Sequence, residues 1–173
     1  MTRYGLLLIL MFFPLIASGQ DVEAEVTADK KAYFWIRMWP DFLVKYDIEK
    51  DEEAARIQTK NGICHGTTYS HDKTQAFLIT GKQSKVEVLD LIKNEVVEVH
   101  DFTETGWLIR IEDVNEIPGG KKWYVNVDRV KLEPDHYKIE KSQWLLYDVT
   151  EKKILKRMDE LPSAIRRGSQ ISP

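Results

Sequence analysis

Hydrophobic and polar residues alternate over short stretches along most of the chain, and three of these stretches repeat the same order of features. Each has an apolar segment that ends in hydrophobic-Asp-hydrophobic, then a short polar turn, then a second alternating segment. The three stretches begin at Phe42, Lys85 and Gln143. Alternation interrupted by a short polar turn is typical of a β-hairpin. After the first twenty residues no segment keeps the 3.6-residue period of an amphipathic helix, so the pattern predicts an all-β fold.

The aspartates that close the first segment of each stretch are Asp47, Asp90 and Asp148. An aspartate side chain accepts hydrogen bonds from the backbone N–H groups of the turn that follows it. We therefore expect these three residues to be structural turn aspartates rather than catalytic groups.

A second feature recurs between the hairpins. The polar residues 70–75 lead into the apolar residues 76–80, and the residues 117–122 lead into 123–127. The interval from Asp90 to Asp148 is 15 residues longer than the interval from Asp47 to Asp90. The extra residues, 128–142, still alternate, which indicates two lengthened strands around a turn at residues 133–136. A period of about 40–45 residues with four short strands is typical of a β-propeller blade.

The order of these features resembles the YVTN family of bacterial β-propellers. The resemblance lies in residues 70–80, 86–91 and 94–97, with weaker copies around residues 119–125 and 144–148. It covers about residues 40 to 173, although His71-Asp72-Lys73 stands where the family pattern has Pro-Asp-Gly. The family implies about seven blades in a surface-layer, periplasmic or secreted protein.

The repeats lie near residues 42–80, 85–127 and 143–173, which is enough for two to three four-stranded antiparallel blades. Closed propellers have about 4–8 blades, and a short arc leaves apolar blade faces uncovered. We therefore expect residues 20–173 to be a partial propeller, the N-terminal fragment of a larger one.

The first nineteen residues have the features of a cleaved secretory signal. A basic start at residues 1–4 precedes the apolar run 5–16 and the small residues 17–19. We expect cleavage after Gly19, which leaves no stable membrane span. A permanent anchor is the alternative, but the run is shorter than the ~20 residues that span a bilayer.

Composition excludes some classes of partner and of fold. The chain has 173 residues, 25 Lys+Arg and 28 Asp+Glu, a net charge of −3, and no long basic run. Phosphate binding requires a basic face, so nucleic acid is not expected as a partner. The single cysteine, Cys64, excludes an intrachain disulfide, and we expect it to be buried.

Candidate chemistry is weak. Cys64, His65 and His71 lack a zinc-site spacing. The triad residue types at 70–72 are consecutive rather than convergent, and the Gly-Gly-Lys at 119–121 lacks the remainder of a phosphate loop. We expect His100 and His136 to be solvated and the tryptophans to pack between strands. The sequence thus predicts no catalytic residue, no cofactor and no metal ligand.

These features predict an exported propeller that acts as a binding or interaction scaffold for an unidentified protein or small molecule. Its binding face is expected to include the turns near residues 101–106 and the insertion around Pro134, because binding residues concentrate on loops held by a rigid frame. The alternative implied by the resemblance is a non-catalytic propeller subunit of a quinoprotein amine dehydrogenase-like periplasmic oxidoreductase. A third possibility is a lactonase-like propeller with a central metal held by several blades.

The signal hypothesis predicts the N-terminus of the exported protein. Expression of the full chain in a Gram-negative host is expected to give a periplasmic product that begins at Gln20, measured by intact mass and N-terminal sequencing. Leu8→Arg, which interrupts the apolar run, should leave the product intracellular and starting at the initiating methionine. A wild-type chain that keeps Met1 and fractionates with membranes would contradict the cleavage.

Overall fold

The computed structural model describes residues 22–26, 32–38 and 41–162, and every regular element in these ranges is a β-strand. The strands are β1 Val22–Val26, β2 Ala32–Met38, β3 Phe42–Asp47, β4 Glu52–Gln58, β5 Gly66–Tyr69, β6 Gln75–Thr80, β7 Lys85–Asp90, β8 Glu95–Asp101, β9 Leu108–Glu116, β10 Lys122–Leu132, β11 Tyr137–Asp148 and β12 Lys153–Met158. The predicted signal at residues 1–19, Trp39 and the last eleven residues lie outside these ranges.

The twelve strands form three antiparallel sheets, each a meander of four consecutive strands. Sheet 1 contains β1–β4, sheet 2 contains β5–β8 and sheet 3 contains β9–β12. This is the architecture of propeller blades, as the alternating pattern predicts. The hydrogen-bonded sheets begin two strands earlier than the sequence repeats, so the repeat at 42–80 spans the second half of sheet 1 and the first half of sheet 2.

The insertion at residues 128–142, which follows the second repeat, lengthens two strands, as its alternation predicts. β10 and β11 contain 11 and 12 residues, against 4 to 9 in the other described strands. Their hairpin ends at Leu132 and Tyr137, and the N–H of Glu133 donates to the carbonyl of His136 at 2.9 Å.

Sheet 2 has both of its faces covered. Phe77 and Ile79 pack in the cluster shared with sheet 3, whereas Ala76 and Leu78 pack in the cluster shared with sheet 1. Successive side chains of a strand point to opposite faces, so β6 is apolar at every one of these positions. A strand buried on both faces has this continuous pattern rather than strict alternation.

Aromatic rings fill the contact between sheets 2 and 3. Trp123 of β10 is 1% exposed, and its ring centroid lies 4.8 Å from that of Phe77 and 6.0 Å from that of Tyr147. The first strands of the two sheets also meet, because the Thr68 hydroxyl donates to the carbonyl of Val114 at 2.9 Å. This convergence is what a radial arrangement of blades requires.

The three aspartates at the ends of β3, β7 and β11 accept backbone hydrogen bonds. Asp47 Oδ1 lies 3.0 Å and 3.1 Å from the N–H nitrogens of Glu49 and Lys50. Asp90 Oδ1 likewise accepts hydrogen bonds from the backbone N–H groups two and three residues further along the chain, at 3.0 Å and 2.9 Å. Asp148 Oδ1 accepts one from the N–H group three residues further along, at 2.9 Å. These bonds satisfy N–H groups that the turn leaves without a strand partner.

The three turns also share their backbone geometry. Four residues after each aspartate the chain adopts a left-handed conformation, with φ of 56°, 57° and 50° at Asp51, Asn94 and Lys152. Each hairpin has a register shift immediately before its aspartate. Asp and Asn tolerate this conformation better than most residues, whereas a lysine there carries a conformational cost.

A buried carboxylate holds the segment that links sheet 1 to sheet 2. Glu87 of β7 is fully buried, and its carboxylate accepts the N–H groups of Lys60 and Asn61 at 2.8 Å and 2.7 Å. The Asn61 side-chain amide and the Thr80 hydroxyl donate to the same carboxylate. Glu104 ties the next link to sheet 3. It lies in the link between sheets 2 and 3, and its carboxylate accepts hydrogen bonds from the guanidinium groups of Arg129 and Arg157 of sheet 3.

Removal of the Glu87 carboxylate is expected to destabilise the protein. Glu87→Ala leaves four donors without their acceptor, and we expect the free energy of unfolding to fall by about 3 kcal/mol. Chemical denaturation monitored by tryptophan fluorescence measures the change. The exposed Glu95 gives the matched variant, and Glu95→Ala should change stability by less than about 0.5 kcal/mol. Equal losses in both variants would contradict the role of Glu87.

Candidate binding cleft between two turns

The antiparallel meander divides the turns between two ends of the sheets. One end, here called the cleft end, contains the turns 70–75 and 117–121 and the three aspartate turns. The other, the hairpin end, contains the hairpin tip 133–136 and the links between sheets. The turns near residues 101–106 and the insertion around Pro134, predicted as a binding face, therefore lie together at the hairpin end.

The described residues contain a cleft of about 350 Å³ at the opposite end. It lies between the turn from β5 to β6 and the turn from β9 to β10. The side chains and backbone that line it are those of Ser70, His71, Asp72, Thr74, Gln75, Glu116, Gly119 and Gly120. The structure thus brings together two copies of the polar turn that the sequence repeats.

The two turns close with the same backbone hydrogen bonds. Ser70 N–H donates to Gln75 O at 3.0 Å, and Ile117 N–H donates to Lys122 O at 2.9 Å. In the first turn Lys73 occupies the left-handed position with φ of 58°, and in the second Gly120 occupies it with φ of 69°. The residues His71-Asp72-Lys73 thus form the same turn as the second copy but place a lysine where glycine is favoured.

Glu116 joins the two turns. Its Oε2 accepts a hydrogen bond from the backbone N–H of His71 at 2.7 Å, so a side chain of sheet 3 holds a turn of sheet 2. A Cβ added to Gly120 would lie 3.3 Å from Glu116 Oε1. Glycine at this position therefore allows the left-handed backbone conformation and also leaves space for the Glu116 carboxylate.

Asp72 forms the other acidic wall of the cleft. Its Oδ1 accepts the Ser70 hydroxyl at 2.7 Å, the Thr74 N–H at 3.0 Å and the Thr74 hydroxyl at 2.8 Å. The bond from Ser70, followed by the two from Thr74, lowers the pKa of Asp72 below its ordinary value. The carboxylate is held in one orientation, and Oδ2 takes no part in these bonds.

The geometry of these residues does not fit a catalytic triad or a phosphate loop. The Ser70 hydroxyl donates directly to Asp72, whereas a triad places the histidine between the serine and the acid. Gly119 and Gly120 lead into the strand β10, whereas a phosphate loop leads into a helix. Within the ranges that the structure describes, no three His, Cys, Asp or Glu side chains are grouped as metal ligands.

His100 is fully buried, so the expectation that it is solvated was wrong. It occupies an inward position of β8, and its ring centroid lies 4.5 Å from that of Trp123. Nδ1 lies 3.1 Å from the Tyr147 hydroxyl, and Nε2 lies 3.5 Å from Glu98 Oε2. Burial lowers the pKa of His100, the carboxylate of Glu98 opposes that shift, and Lys152 adds to it. Burial is also the main cause that raises the pKa of Tyr147 to about 12.

The remaining candidates divide between the core and the surface. His136 is exposed at the hairpin tip, as predicted. Trp35 and Trp123 are buried between sheets, but Trp107 is 37% exposed and lies under the guanidinium of Arg129. Cys64 is half-buried rather than buried, with its Sγ 3.3 Å from the carbonyl oxygen of Gly66.

Sequence reasoning missed both Glu116 and Glu87. Glu116 immediately precedes the second polar turn and has no special feature in the linear sequence, because its partner His71 is 45 residues away. Glu87 did carry a signal, since it is a charged residue between Val86 and Val88 in a segment otherwise apolar. A buried carboxylate requires hydrogen-bond donors, and that requirement points to a structural role.

No family model matches the chain, and no curated protein matches it. Solved structures of propeller type are similar in fold to this chain, and the following three are among them. Hydrazine synthase from Kuenenia stuttgartiensis has a TM-score of 0.52 and 16% identity, over 78% of this chain and 36% of that one. Dihydro-heme d1 dehydrogenase NirN in complex with DHE has a TM-score of 0.52 and 14% identity, over 75% and 26%. Apo AztD from Citrobacter koseri has a TM-score of 0.50 and 18% identity, over 74% and 32%.

The chain thus spans about a quarter to about a third of the length of these structures, and likeness at this identity shows the fold alone. The fold is three four-stranded blades of a propeller. In the ranges described here, no helix has the length and apolar character needed to cross a bilayer.

The lowered pKa of His100 predicts a pH dependence of stability. The folded state binds the His100 proton less well than the unfolded state does. The contribution of neutral His100 to stability is therefore complete above about pH 6.5 and is lost progressively as the pH falls below it. The loss attributable to this group reaches at most about 1.4 kcal/mol per pH unit. His100→Gln should flatten the profile of unfolding free energy against pH, whereas His136→Gln should leave it unchanged. Superimposable profiles for wild type and His100→Gln would contradict the assignment.

Proposed function

We propose that the protein is an exported propeller scaffold that binds a small polar ligand in the cleft between residues 70–75 and 117–121. The observation that supports this is the meeting of two equivalent turns from neighbouring blades around two acidic side chains, Asp72 and Glu116. Hydrogen bonds from the protein hold both of these side chains in place before any ligand arrives. Preorganised polar groups in a concave site are what specific binding requires.

The chemistry of the lining defines the class of ligand. The acidic oxygens of Asp72 and Glu116 accept hydrogen bonds, and Gly119 and Gly120 of the second turn add no side chains to the lining. The ligand is therefore a small molecule that presents several hydrogen-bond donors, such as a sugar or a polyamine.

Export is part of the proposal because of the N-terminal pattern at residues 1–19. The number of blades in the complete propeller, seven by resemblance to the YVTN family, is likewise part of it. Two of the similar structures are those of a synthase and a dehydrogenase, but likeness at 14–16% identity extends only to the fold. A subunit of an oxidoreductase therefore has no specific observation in its favour.

Titration of the full chain with two probes tests the cleft. Spermidine represents a cationic donor and glucose a neutral one, and binding is followed by calorimetry and by shifts in backbone amide resonances. We expect one probe to bind with shifts concentrated in the turns 70–75 and 117–121. Glu116→Gln and Asp72→Asn keep an acceptor oxygen but remove the charge, and each should weaken spermidine binding by about tenfold.

The matched control is Glu95→Gln, which removes an exposed acid at the start of β8, at the same end of the sheets. Its affinity for each probe should equal that of the wild type. Failure of both probes to bind at millimolar concentration, or binding that is insensitive to both cleft variants, would refute the cleft as the binding site.

A further inference from the structure

The hairpin of β10 and β11 extends past both neighbouring strands. β9 pairs with β10 only as far as Val130, and β12 pairs with β11 only over Trp144–Asp148. The segment Tyr137–Gln143 of β11 therefore has β10 on one side and no described strand on the other. A strand edge of this kind presents backbone N–H and C=O groups that are available to a further strand.

The projecting part of the hairpin also exposes large apolar side chains. Leu132 and Tyr137 form the last cross-strand pair and are 69% and 66% exposed, and Ile139 is 48% exposed. Tyr137 and Ile139 are two residues apart on one strand, so they point to the same face. An open edge that carries an exposed apolar strip is a favoured place for strand addition from another chain.

The charged side chains beside this apolar strip determine which partner strand can pair with it. Lys138 and Glu140 flank Ile139, and their side chains lie on one face, with Nζ and Oε1 3.1 Å apart. In an antiparallel pair of identical strands about a two-fold axis, facing residues must point to the same face. The pairing is therefore centred on a residue. A pair centred on Ile139 places each Lys138 opposite the Glu140 of the other copy.

The two neighbouring registers of this strand pair are electrostatically unfavourable. A pair centred on Lys138 brings two lysines face to face, and a pair centred on Glu140 brings two glutamates face to face. Like charges directly opposite each other destabilise a sheet, and opposite charges stabilise it. The segment is thus complementary in charge to a second copy of itself in one register.

We propose that two copies of this chain associate through the β11 edges at Tyr137–Gln143, antiparallel and centred on Ile139. The result is a continuous sheet of two hairpins, with the Leu132, Tyr137 and Ile139 side chains of both copies adjacent on one face. The register shift that leaves Glu140 as an extra residue opposite β10 limits the paired segment to a few residues. The dimer is accordingly expected to be weak and to depend on concentration.

Sedimentation equilibrium of the full chain from micromolar to millimolar concentration tests the proposal. The wild type should show a monomer–dimer equilibrium. Ile139→Lys, which places two cations at the two-fold axis, should abolish the dimer. Lys138→Glu and Glu140→Lys should each weaken self-association at least about tenfold, because each creates two like-charge pairs.

Charge reversal distinguishes this edge from any other surface. The double variant with both Lys138→Glu and Glu140→Lys rebuilds the reciprocal pairs and should recover the dimer. An equimolar mixture of the two single variants should form a heterodimer more readily than either associates with itself. Lys82→Glu reverses an exposed charge elsewhere at the hairpin end and should leave the equilibrium unchanged.

Circular dichroism and thermal melting of each variant show that the fold is kept, so a loss of association can be assigned to the edge. A chain that stays monomeric at millimolar concentration would overturn the proposal, including the case in which another segment of the same chain covers β11. A dimer that persists unchanged in Ile139→Lys and in both single charge variants would overturn it as well, and would place association on a different surface.

Discussion

The structure depends on the packing of sheet 2 between two other sheets. β6 and β7 cannot expose either face to water, because Phe77 and Val86 are apolar on one side and Leu78 and Leu89 on the other. Each buried side chain of this size contributes about 1.5–3 kcal/mol relative to exposure. The positions of the described turns at the two ends follow from this face-to-face contact, because these turns connect strands whose spacing the core has set.

Polar groups inside this contact tie the sheets together. Glu87 accepts hydrogen bonds from the link before its own sheet, and Glu104 accepts them from arginines of the sheet that follows its link. Partial burial raises the pKa of Glu104, but the hydrogen bonds and charges of Arg157 and Arg129 lower it by a larger amount. The net shift of the Glu104 pKa is therefore downward. Glu116 makes the same kind of connection at the cleft. The cleft and the links are therefore products of one arrangement, in which a carboxylate of one segment fixes the backbone or side chains of another.

The two ends of the sheets provide different surfaces. At the cleft end, equivalent turns of neighbouring blades meet and enclose polar groups. At the hairpin end, the insertion at residues 128–142 carries a strand edge and apolar side chains away from the blade. A scaffold that binds a ligand at one end and a second copy at the other uses turns for the first and an elongated hairpin for the second.

The sequence alone determined the β character, the four-strand period, the aspartate turns and the lengthened hairpin. Each of these follows from the alternation of neighbouring side chains or from the chemistry of a single turn, and such effects act within a few residues. Tertiary structure decided the burial of His100 and the placement of Glu116 against His71. It also decided that residues 70–75 and 117–121 share a cleft. These contacts join residues 45 or more positions apart. They exist because sheets pack on one another, and periodicity along one strand carries no information about which side chains the next sheet will bring.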